Sequence, residues 1–239
     1  MRGFLKEIVK RLRLTRNFTC DICGEELFDR SRICKRCFDA LERITLCCPF
    51  CGRKVREAGT CTECKDRPLA VHKCRSVCTH EGEAARLVLR YKNGEQYLSE
   101  LIADLMTPLC LQQFSDADAL VYVPMTDAAL RRRGFCQTRL LAEKLSERTQ
   151  KPVLHAVTKE RETAAQKTLS RRLREKNVKG CFHVSDRAAV KGKTLLIIDD
   201  TMTTGATVHA LADALLRAKA KRVYALTMTS VEYDLFSKH

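Results

Sequence analysis

Hydrophobic positions follow two different periods from about residue 83 to the end of the chain. Apolar residues at i, i+3 and i+4 predict amphipathic helices, whereas short continuous apolar runs predict buried strands. Alternating helices and strands predict an α/β domain with a mainly parallel sheet. The predicted helices cover 83–92, 95–110, 137–149 and about 208–216, and the predicted strands cover 119–123, 153–157, 181–184, 194–198 and 222–229.

The first third of the chain lacks this alternation. Residues 1–18 predict a basic amphipathic helix with Phe4, Leu5, Ile8 and Leu12 on one side. Packing of one apolar stripe and docking to a membrane surface or partner both remain open for it. Residues 19–66 are rich in cysteine, and residues 67–239 form the α/β part. No apolar run reaches the roughly 18 residues of a membrane-spanning helix.

The cysteine-rich segment carries a regular spacing. Eight of the 14 cysteines form four C-x-x-C pairs with about ten residues between successive pairs, and the other six lack pair spacing. Two C-x-x-C pairs supply four thiolates to one tetrahedral Zn²⁺, so the segment predicts a double zinc ribbon with two structural sites. The predicted ligands are Cys20, Cys23, Cys34, Cys37, Cys48, Cys51, Cys61 and Cys64.

Three alternatives for the cysteines stay open at this point. Sequential ligation is the simplest arrangement, but interleaved ligation uses the same residues. Disulfides would require an oxidising compartment, and redox-active C-x-x-C pairs are a third option. Residues 1–18 do not resemble a secretory signal, so a cytoplasmic protein is expected.

The net charge restricts the partners. Lys and Arg number 44 against 29 Asp and Glu, which gives a formal charge of +15. Such an excess favours a polyanionic or phosphorylated partner. Aromatic residues make up only 6% of the chain and Trp is absent, which argues against base-stacking platforms as the main binding device.

The most informative segment is Leu195–Thr207, with the sequence LLIIDDTMTTGAT. Four apolar residues predict a buried strand, and Asp199 and Asp200 follow at its carboxyl end, where open α/β sheets bind ligands. The small hydroxylated loop before the next helix suits a phosphate, with Gly205 allowing close backbone approach. Two carboxylates beside an anion site would repel the anion unless they bind something else. Vicinal sugar hydroxyls suit them, because each carboxylate can accept hydrogen bonds from both hydroxyls. The residues therefore predict a ribose phosphate ligand.

This segment resembles the phosphoribosyl-pyrophosphate motif of type I phosphoribosyltransferases, and it lacks the Lys of a P-loop. The resemblance implies a type I phosphoribosyltransferase-like parallel sheet flanked by helices. It implies that Asp199 and Asp200, as catalytic and ligand-binding residues, hold the ribose hydroxyls, and that Mg²⁺ accompanies the pyrophosphate. The remaining residues that it implies for this ligand are Thr201, Thr203, Thr204, Gly205, Ala206 and Thr207.

A second resemblance is narrower. Val123-Pro124 followed by Arg131–Gln137, with the sequence RRRGFCQ, is similar to the signature of the ComF family, in which a double zinc ribbon precedes the domain. Cys136 departs from the usual Asn. The resemblance implies that the loop after Val123 faces pyrophosphate with two arginines nearby. The residues concerned are Pro124, Met125, Thr126, Arg131 and Arg133. Further matches to the family are Tyr91–Gly94, Thr163, Gln166, Leu169, Arg174, Asn177 and Val178.

Three functions follow from these resemblances. The first is a phosphoribosyltransferase that acts on an unidentified acceptor, with the basic segment 159–180 either closing over the substrate or forming a solvated loop. The second is a non-catalytic nucleotide-sensing or adaptor module for natural competence, which binds single-stranded DNA or proteins of the uptake machinery. The third is a protein-docking platform built on the zinc ribbons.

Overall fold

The computed structural model describes residues 19–29, 31–66, 69–161 and 180–232, and the chain divides into two compact units. The first unit is Met1–Leu41 and the second is Glu42–His239. The predicted helix over residues 1–18 lies outside the described residues. Within the described part, none of the helices combines the length and apolar composition needed to cross a bilayer.

The first unit has a very small core. Leu27 is buried with Cys20, Cys34 and Cys37, while Ile22 and Ile33 pack against them. A bridge joins Thr19 to Glu26, and helix α1 spans Lys35–Asp39. A core this small offsets little of the entropy of ordering the chain, and a metal held by its four cysteines would add the stabilisation that it lacks.

The second unit is built on a parallel sheet flanked by helices, which confirms the predicted fold class. Its four strands are β1 (Lys73–Thr79), β2 (Ala119–Tyr122), β5 (Thr194–Met202) and β6 (Arg222–Ser230). They lie in the order β1-β6-β5-β2, and every neighbouring pair is parallel.

The helices of this unit agree with the predicted periods to within a few residues. Two short helices and the turn helix α2, which the periodicity did not predict, complete the set. The helices are α2 (Thr62–Asp66), α3 (Gly82–Lys92), α4 (Leu98–Gln113), α5 (Asp127–Arg133), α6 (Gln137–Thr149), α7 (Arg187–Val190) and α8 (Ala206–Arg217).

The strand predicted over 153–157 is wrong in its bounds. Val153 makes one isolated parallel bridge to Leu120, after which the chain leaves the sheet. Strand β3 is Val157–Lys159 and pairs antiparallel with β4 (Phe182–Val184) as a separate ribbon. An apolar run predicts extended backbone, but it does not specify the strand with which that backbone pairs.

Strand β1 was not predicted, because its sequence KCRSVCT contains too many polar residues. Most of it is nevertheless buried, with Cys74, Cys78 and Thr79 fully enclosed. The Ser76 hydroxyl lies 2.7 Å from the Thr227 hydroxyl on β6. Cross-strand hydrogen bonds of this kind let small polar residues occupy a sheet interior without an unsatisfied group.

The second group of cysteines belongs to the second unit. Cys48, Cys51 and Cys64 are buried in the same core as Val71, Cys74 and the apolar residues of β5. The division between the units at residue 41 therefore differs from the boundary predicted near residue 66. A change in composition marks the end of the cysteine spacing, whereas compact units follow packing.

Candidate functional site

Two adjacent carboxylates lie on β5 near its carboxyl end. Asp199 is opposite Thr227 of β6 in the parallel register, and Thr201 is opposite Thr229. Asp199 and Asp200 are 9% and 3% exposed. The backbone N–H of Asp200 donates to Asp199 Oδ1 at 2.9 Å. Burial raises the pKa of Asp199 to about 7, and the negative charge of Asp200 contributes to this upward shift.

Lys92, at the end of α3, is a site residue that was not assigned from the sequence. Its Nζ lies 2.8 Å from Asp200 Oδ1 and 3.3 Å from Thr201 Oγ1. The signal was the stretch Tyr91–Gly94, which a helix-ending turn explains equally well. Lys92 supplies the positive charge that a buried pair of carboxylates requires.

The second oxygen of Asp200 points to a ligand. Asp200 Oδ2 is buried and has no hydrogen-bond partner among the described residues. Leaving a buried carboxylate oxygen unsatisfied costs free energy, and such atoms occur at binding and catalytic sites. A sugar hydroxyl donates the hydrogen bond that this oxygen lacks, and Mg²⁺ or its bound water is also complementary to it.

The segment predicted to bind phosphate forms the turn between β5 and α8. Gly205 has φ +80°, a conformation that favours glycine, and an added Cβ would lie 3.1 Å from Leu69 Cδ2. Thr204 Oγ1 accepts a hydrogen bond from Ala206 N at 3.2 Å. Helix α8, of 12 residues, begins at Ala206, so its N-terminal dipole lies at this turn. The turn has the features of an anion site.

The loop Pro124–Thr126 follows β2, which is the neighbour of β5 in the sheet. Tyr122 is opposite Ile198, and Val123 N donates to Ile198 O at 3.2 Å. Because parallel strands end at the same edge of a sheet, the two predicted loops leave the same edge. Thr126 caps α5, its hydroxyl accepting from Ala129 N at 3.2 Å.

A cavity of about 840 Å³ borders the loop after β2. Pro124, Met125 and Thr126 line it together with Phe135 and Lys159. The aspartates and the residues of the β5–α8 turn do not line it. The predicted ligand residues therefore divide into one set along the cavity and another at the end of β5.

The predicted arginines are not among the residues that line the cavity. Arg131 and Arg133 are exposed on α5, and Arg133 Nη1 donates to Gln137 Oε1 at 2.9 Å. The Sγ atom of Cys136 lies 3.3 Å from the Thr138 hydroxyl oxygen. The matches between Thr163 and Val178 lie outside the described residues, as does most of the segment 159–180.

The stretches that resemble the ComF signature contact one another. Tyr91 and Phe135 form an edge-to-face pair with centroids 5.8 Å apart. The Tyr91 hydroxyl donates to the Gln137 carbonyl at 2.7 Å. Packing Tyr91 on the loop before α6 also fixes Lys92, the next residue, beside the acidic pair.

The eight paired cysteines form two clusters, each made of consecutive pairs. Within each cluster the four Sγ atoms all lie within 4.8 Å of one another. The Sγ atoms of Cys23 and Cys34 are 3.8 Å apart, and those of Cys51 and Cys61 are 3.6 Å apart. Four thiolates at about 2.3 Å from Zn²⁺ form a tetrahedron with edges of about 3.8 Å. The sulfur sets therefore fit a tetrahedral thiolate metal, and their grouping is sequential.

Backbone hydrogen bonds support the metal-binding arrangement. Cys37 N donates to Cys34 Sγ at 3.4 Å, and Cys61 N donates to Cys48 Sγ at 3.5 Å. Such bonds stabilise the thiolate form that a metal requires. The Sγ–Sγ separations also exceed the roughly 2.05 Å bond of a disulfide. The sulfurs are therefore arranged as a possible set of metal ligands.

The fold and the site define a protein with a phosphoribosyltransferase domain. The family model described as "Phosphoribosyl transferase domain" matches residues 128–231, which include the acidic strand and the turn after it. The acidic strand, the turn and helix α8 therefore follow that family's pattern.

Similar proteins narrow this class. The "DNA utilization protein YhgH" of Escherichia coli K12 is 32% identical over 214 residues, covering 82% of this chain and 90% of that protein. The "Competence protein ComFC" of Bacillus subtilis 168 is 27% identical, covering 88% and 90%. The "Competence protein F" of Haemophilus influenzae is 23% identical, covering 87% and 94%. The chain belongs to the ComF family.

The charge balance of the acidic pair gives a prediction that needs no ligand. Because burial and Asp200 raise the pKa of Asp199, its carboxyl carbon is expected to titrate with a midpoint near pH 7 in ¹³C NMR. Lys92→Met removes a positive charge that favours ionisation, so the midpoint should move upward. Lys221→Met, at the opposite end of the sheet, is the control. An Asp199 midpoint near the ordinary value of about 4 in the unmodified protein would contradict this description.

Proposed function

We propose that this protein binds phosphoribosyl pyrophosphate with Mg²⁺ at the carboxyl edge of its parallel sheet. The observation that carries the proposal is the unsatisfied Asp200 Oδ2, which precedes a glycine turn and a helix N-terminus suited to an anion. A ligand that offers both a sugar hydroxyl and a phosphate complements these two features together. A simple phosphate would leave the carboxylate oxygen unpaired, and a simple sugar would leave the turn unused.

The described residues suggest how the ligand is held. Asp199 and Asp200 accept hydrogen bonds from the vicinal ribose hydroxyls, while Lys92 keeps their combined charge low. The 5′-phosphate lies at Thr203–Thr207, where backbone N–H groups and the dipole of α8 favour an anion. The pyrophosphate extends toward Pro124, Met125 and Thr126, which leave the neighbouring strand at the same edge.

Magnesium fits this arrangement because it prefers oxygen ligands and retains water. The ligand's phosphate oxygens and the orphan oxygen of Asp200 supply donors of that type. When bound, the ion neutralises charge on the departing pyrophosphate. The residues of the chain orient the sugar, and they exclude water from the side of the sugar that faces the buried carboxylates.

We further propose a phosphoribosyl transfer with an acceptor that is not identified. An acceptor lone pair forms the new bond to ribose C1 while the bond from C1 to pyrophosphate oxygen breaks, and the leaving group departs with that electron pair. The transition state places positive charge on the sugar ring, which the aspartates stabilise electrostatically. None of the cysteines is assigned as a nucleophile.

The two cysteine clusters are proposed to hold structural Zn²⁺. Four thiolates in a closed tetrahedron leave no position for substrate, which is typical of structural zinc. Keeping eight cysteines reduced requires a reducing compartment, so we place the protein in the cytoplasm in this proposal.

A second candidate function concerns DNA. The relatives carry the printed names "DNA utilization protein" and "Competence protein". The chain has a formal charge of +15, and Arg131, Arg132 and Arg133 are exposed at the end of α5. We propose that the protein also contacts single-stranded DNA, or proteins that handle it, during competence.

Phosphoribosyl pyrophosphate binding can be measured by isothermal titration calorimetry in the presence of Mg²⁺. Unmodified protein is expected to bind, and Asp200→Asn should weaken binding by about tenfold or more because it removes a charged acceptor, a loss of about 1.5–3 kcal/mol. Binding should also strengthen as the pH rises from 6 to 8, because Asp199 then ionises.

Asp199→Asn provides the control for that pH dependence, since it removes the titration of Asp199 and leaves that of the ligand. Asp213→Asn on the exposed part of α8 tests for a general effect of lost charge. The proposal is contradicted by no heat of binding at millimolar ligand. It is contradicted equally by an Asp200→Asn variant that binds as tightly as the original protein.

Zinc content is a separate prediction. Mass spectrometry of the purified protein should find two zinc ions per chain. Cys23→Ser and Cys61→Ser should each reduce the count to one, because each removes a thiolate from a different cluster. Cys110→Ser, a buried cysteine outside both clusters, is the matched control and should retain two. Absence of zinc, or a count that does not respond to these changes, would exclude the assignment.

Contact with DNA predicts a salt dependence. Fluorescence anisotropy with an oligothymidylate should show binding at 50 mM salt. If about four phosphates are neutralised, the affinity should fall about 50-fold at 200 mM. Arg131→Gln with Arg133→Gln should reduce the slope of log affinity against log salt. Binding that does not respond to salt, or its absence at 50 mM, would count against this function.

A further inference from the structure

Arg53 connects the second cysteine cluster to the turn proposed to bind phosphate. It follows Cys48–Gly52 in a tight knuckle, where Cys48 N donates to Arg53 O at 2.9 Å and Gly52 N to Cys48 O at 3.0 Å. Its side chain turns inward, and the residue is only 5% exposed. An arginine buried to this extent requires strong hydrogen-bond or charge partners.

Two partners of Arg53 lie in different parts of the second unit. One guanidinium nitrogen, Nη2, donates to the backbone carbonyl of Thr203, which is 150 residues away in the β5–α8 turn. The other, Nη1, lies 4.0 Å from the sulfur of Cys51, a member of the cluster. One rigid, planar group therefore spans from a metal-ligating thiolate to the phosphate turn.

Contacts around this bridge leave little freedom. An added Cβ on Gly52 would lie 2.3 Å from the Cys74 carbonyl oxygen, so the knuckle is pressed against β1. Cys74 Sγ in turn lies 3.6 Å from Met202 Sδ, at the residue before Thr203. Cys74 N also donates to Phe50 O at 2.7 Å. A shift of the knuckle would therefore displace the turn.

The first cysteine cluster shows that the knuckle itself does not need an arginine. Its equivalent residue is Glu25, in Cys20–Glu25, and the backbone bonds are the same: Cys20 N to Glu25 O at 2.7 Å and Gly24 N to Cys20 O at 2.8 Å. Glu25 pairs instead with Arg36 at 3.1 Å, within the same unit. Arg53 therefore has a role other than building the knuckle.

We propose that Arg53 is a positioning residue through which metal at Cys48, Cys51, Cys61 and Cys64 holds the Thr203–Thr207 turn ready for phosphate. This inference rests on the proposed function. A tetrathiolate zinc site carries net negative charge, which attracts the guanidinium and fixes its second hydrogen bond on Thr203. Metal at this cluster and phosphoribosyl pyrophosphate at the turn then bind cooperatively. By linkage, each raises the affinity for the other by the same factor.

The test compares Arg53→Met with Glu25→Met at the equivalent position of the first knuckle. Arg53→Met should retain two metal ions and a cooperative thermal transition, yet bind phosphoribosyl pyrophosphate with Mg²⁺ about tenfold more weakly. Glu25→Met should bind it as the unmodified protein does. If the unmodified protein binds phosphoribosyl pyrophosphate and Arg53→Met binds it with the same affinity, the inference is overturned while the proposed function stays intact.

A spectroscopic measurement covers the case in which Arg53→Met fails to fold. Co²⁺ substituted into the thiolate sites gives ligand-field bands that report their geometry. Adding phosphoribosyl pyrophosphate with Mg²⁺ to the cobalt-loaded, unmodified protein should shift those bands and slow cobalt loss to a chelator. Folded Arg53→Met should show neither effect. An unmodified protein that binds the ligand without either effect would refute the coupling, whereas one that binds no ligand would refute the proposed function itself.

Discussion

Burial of two adjacent carboxylates at the end of one parallel strand is the constraint on which this site depends. Asp199 and Asp200 occupy positions of β5 that are enclosed by the sheet, so their charge cannot be left to solvent. Three features reduce the cost: a raised pKa at Asp199, a hydrogen bond from the Asp200 N–H, and the ion pair with Lys92. What they leave unsatisfied is one oxygen of Asp200, and that remainder is the chemical reason to expect a ligand with hydroxyl groups.

The surrounding structure can be understood as support for that edge. Tyr91 packs on Phe135 and thereby holds Lys92 beside the acids, while Leu69 packs against Gly205 in the following turn. The second cysteine cluster shares the core of the sheet, and Arg53 extends from it to Thr203. The second cysteine cluster, the sheet and the candidate ligand site therefore belong to one packed unit, whereas the first cluster lies in a separate small unit.

Much of this arrangement could be predicted from the sequence because the information is local. Continuous apolar runs predicted β2, β5 and β6, and the spacing of the cysteines predicted which of them cluster. Contacts between distant residues could not be predicted in this way. Strand β1 is polar in sequence and is stabilised by partners on β6, and the Arg53 bridge joins residues 150 positions apart. In the sequence Lys92 could be recognised only as part of a helix-ending turn. Its ion pair with Asp200 depends on the fold, because the two residues are far apart in the chain.

Ligand binding at the acidic pair can be observed in a crystal structure of the protein with phosphoribosyl pyrophosphate and Mg²⁺. We expect the ribose hydroxyls to contact Asp199 and Asp200, with one of them donating to Asp200 Oδ2. We expect the 5′-phosphate at the backbone of Thr203–Thr207. A ligand bound elsewhere, or an Asp200 Oδ2 that stays unpaired at saturating ligand, would contradict the proposed mode of binding.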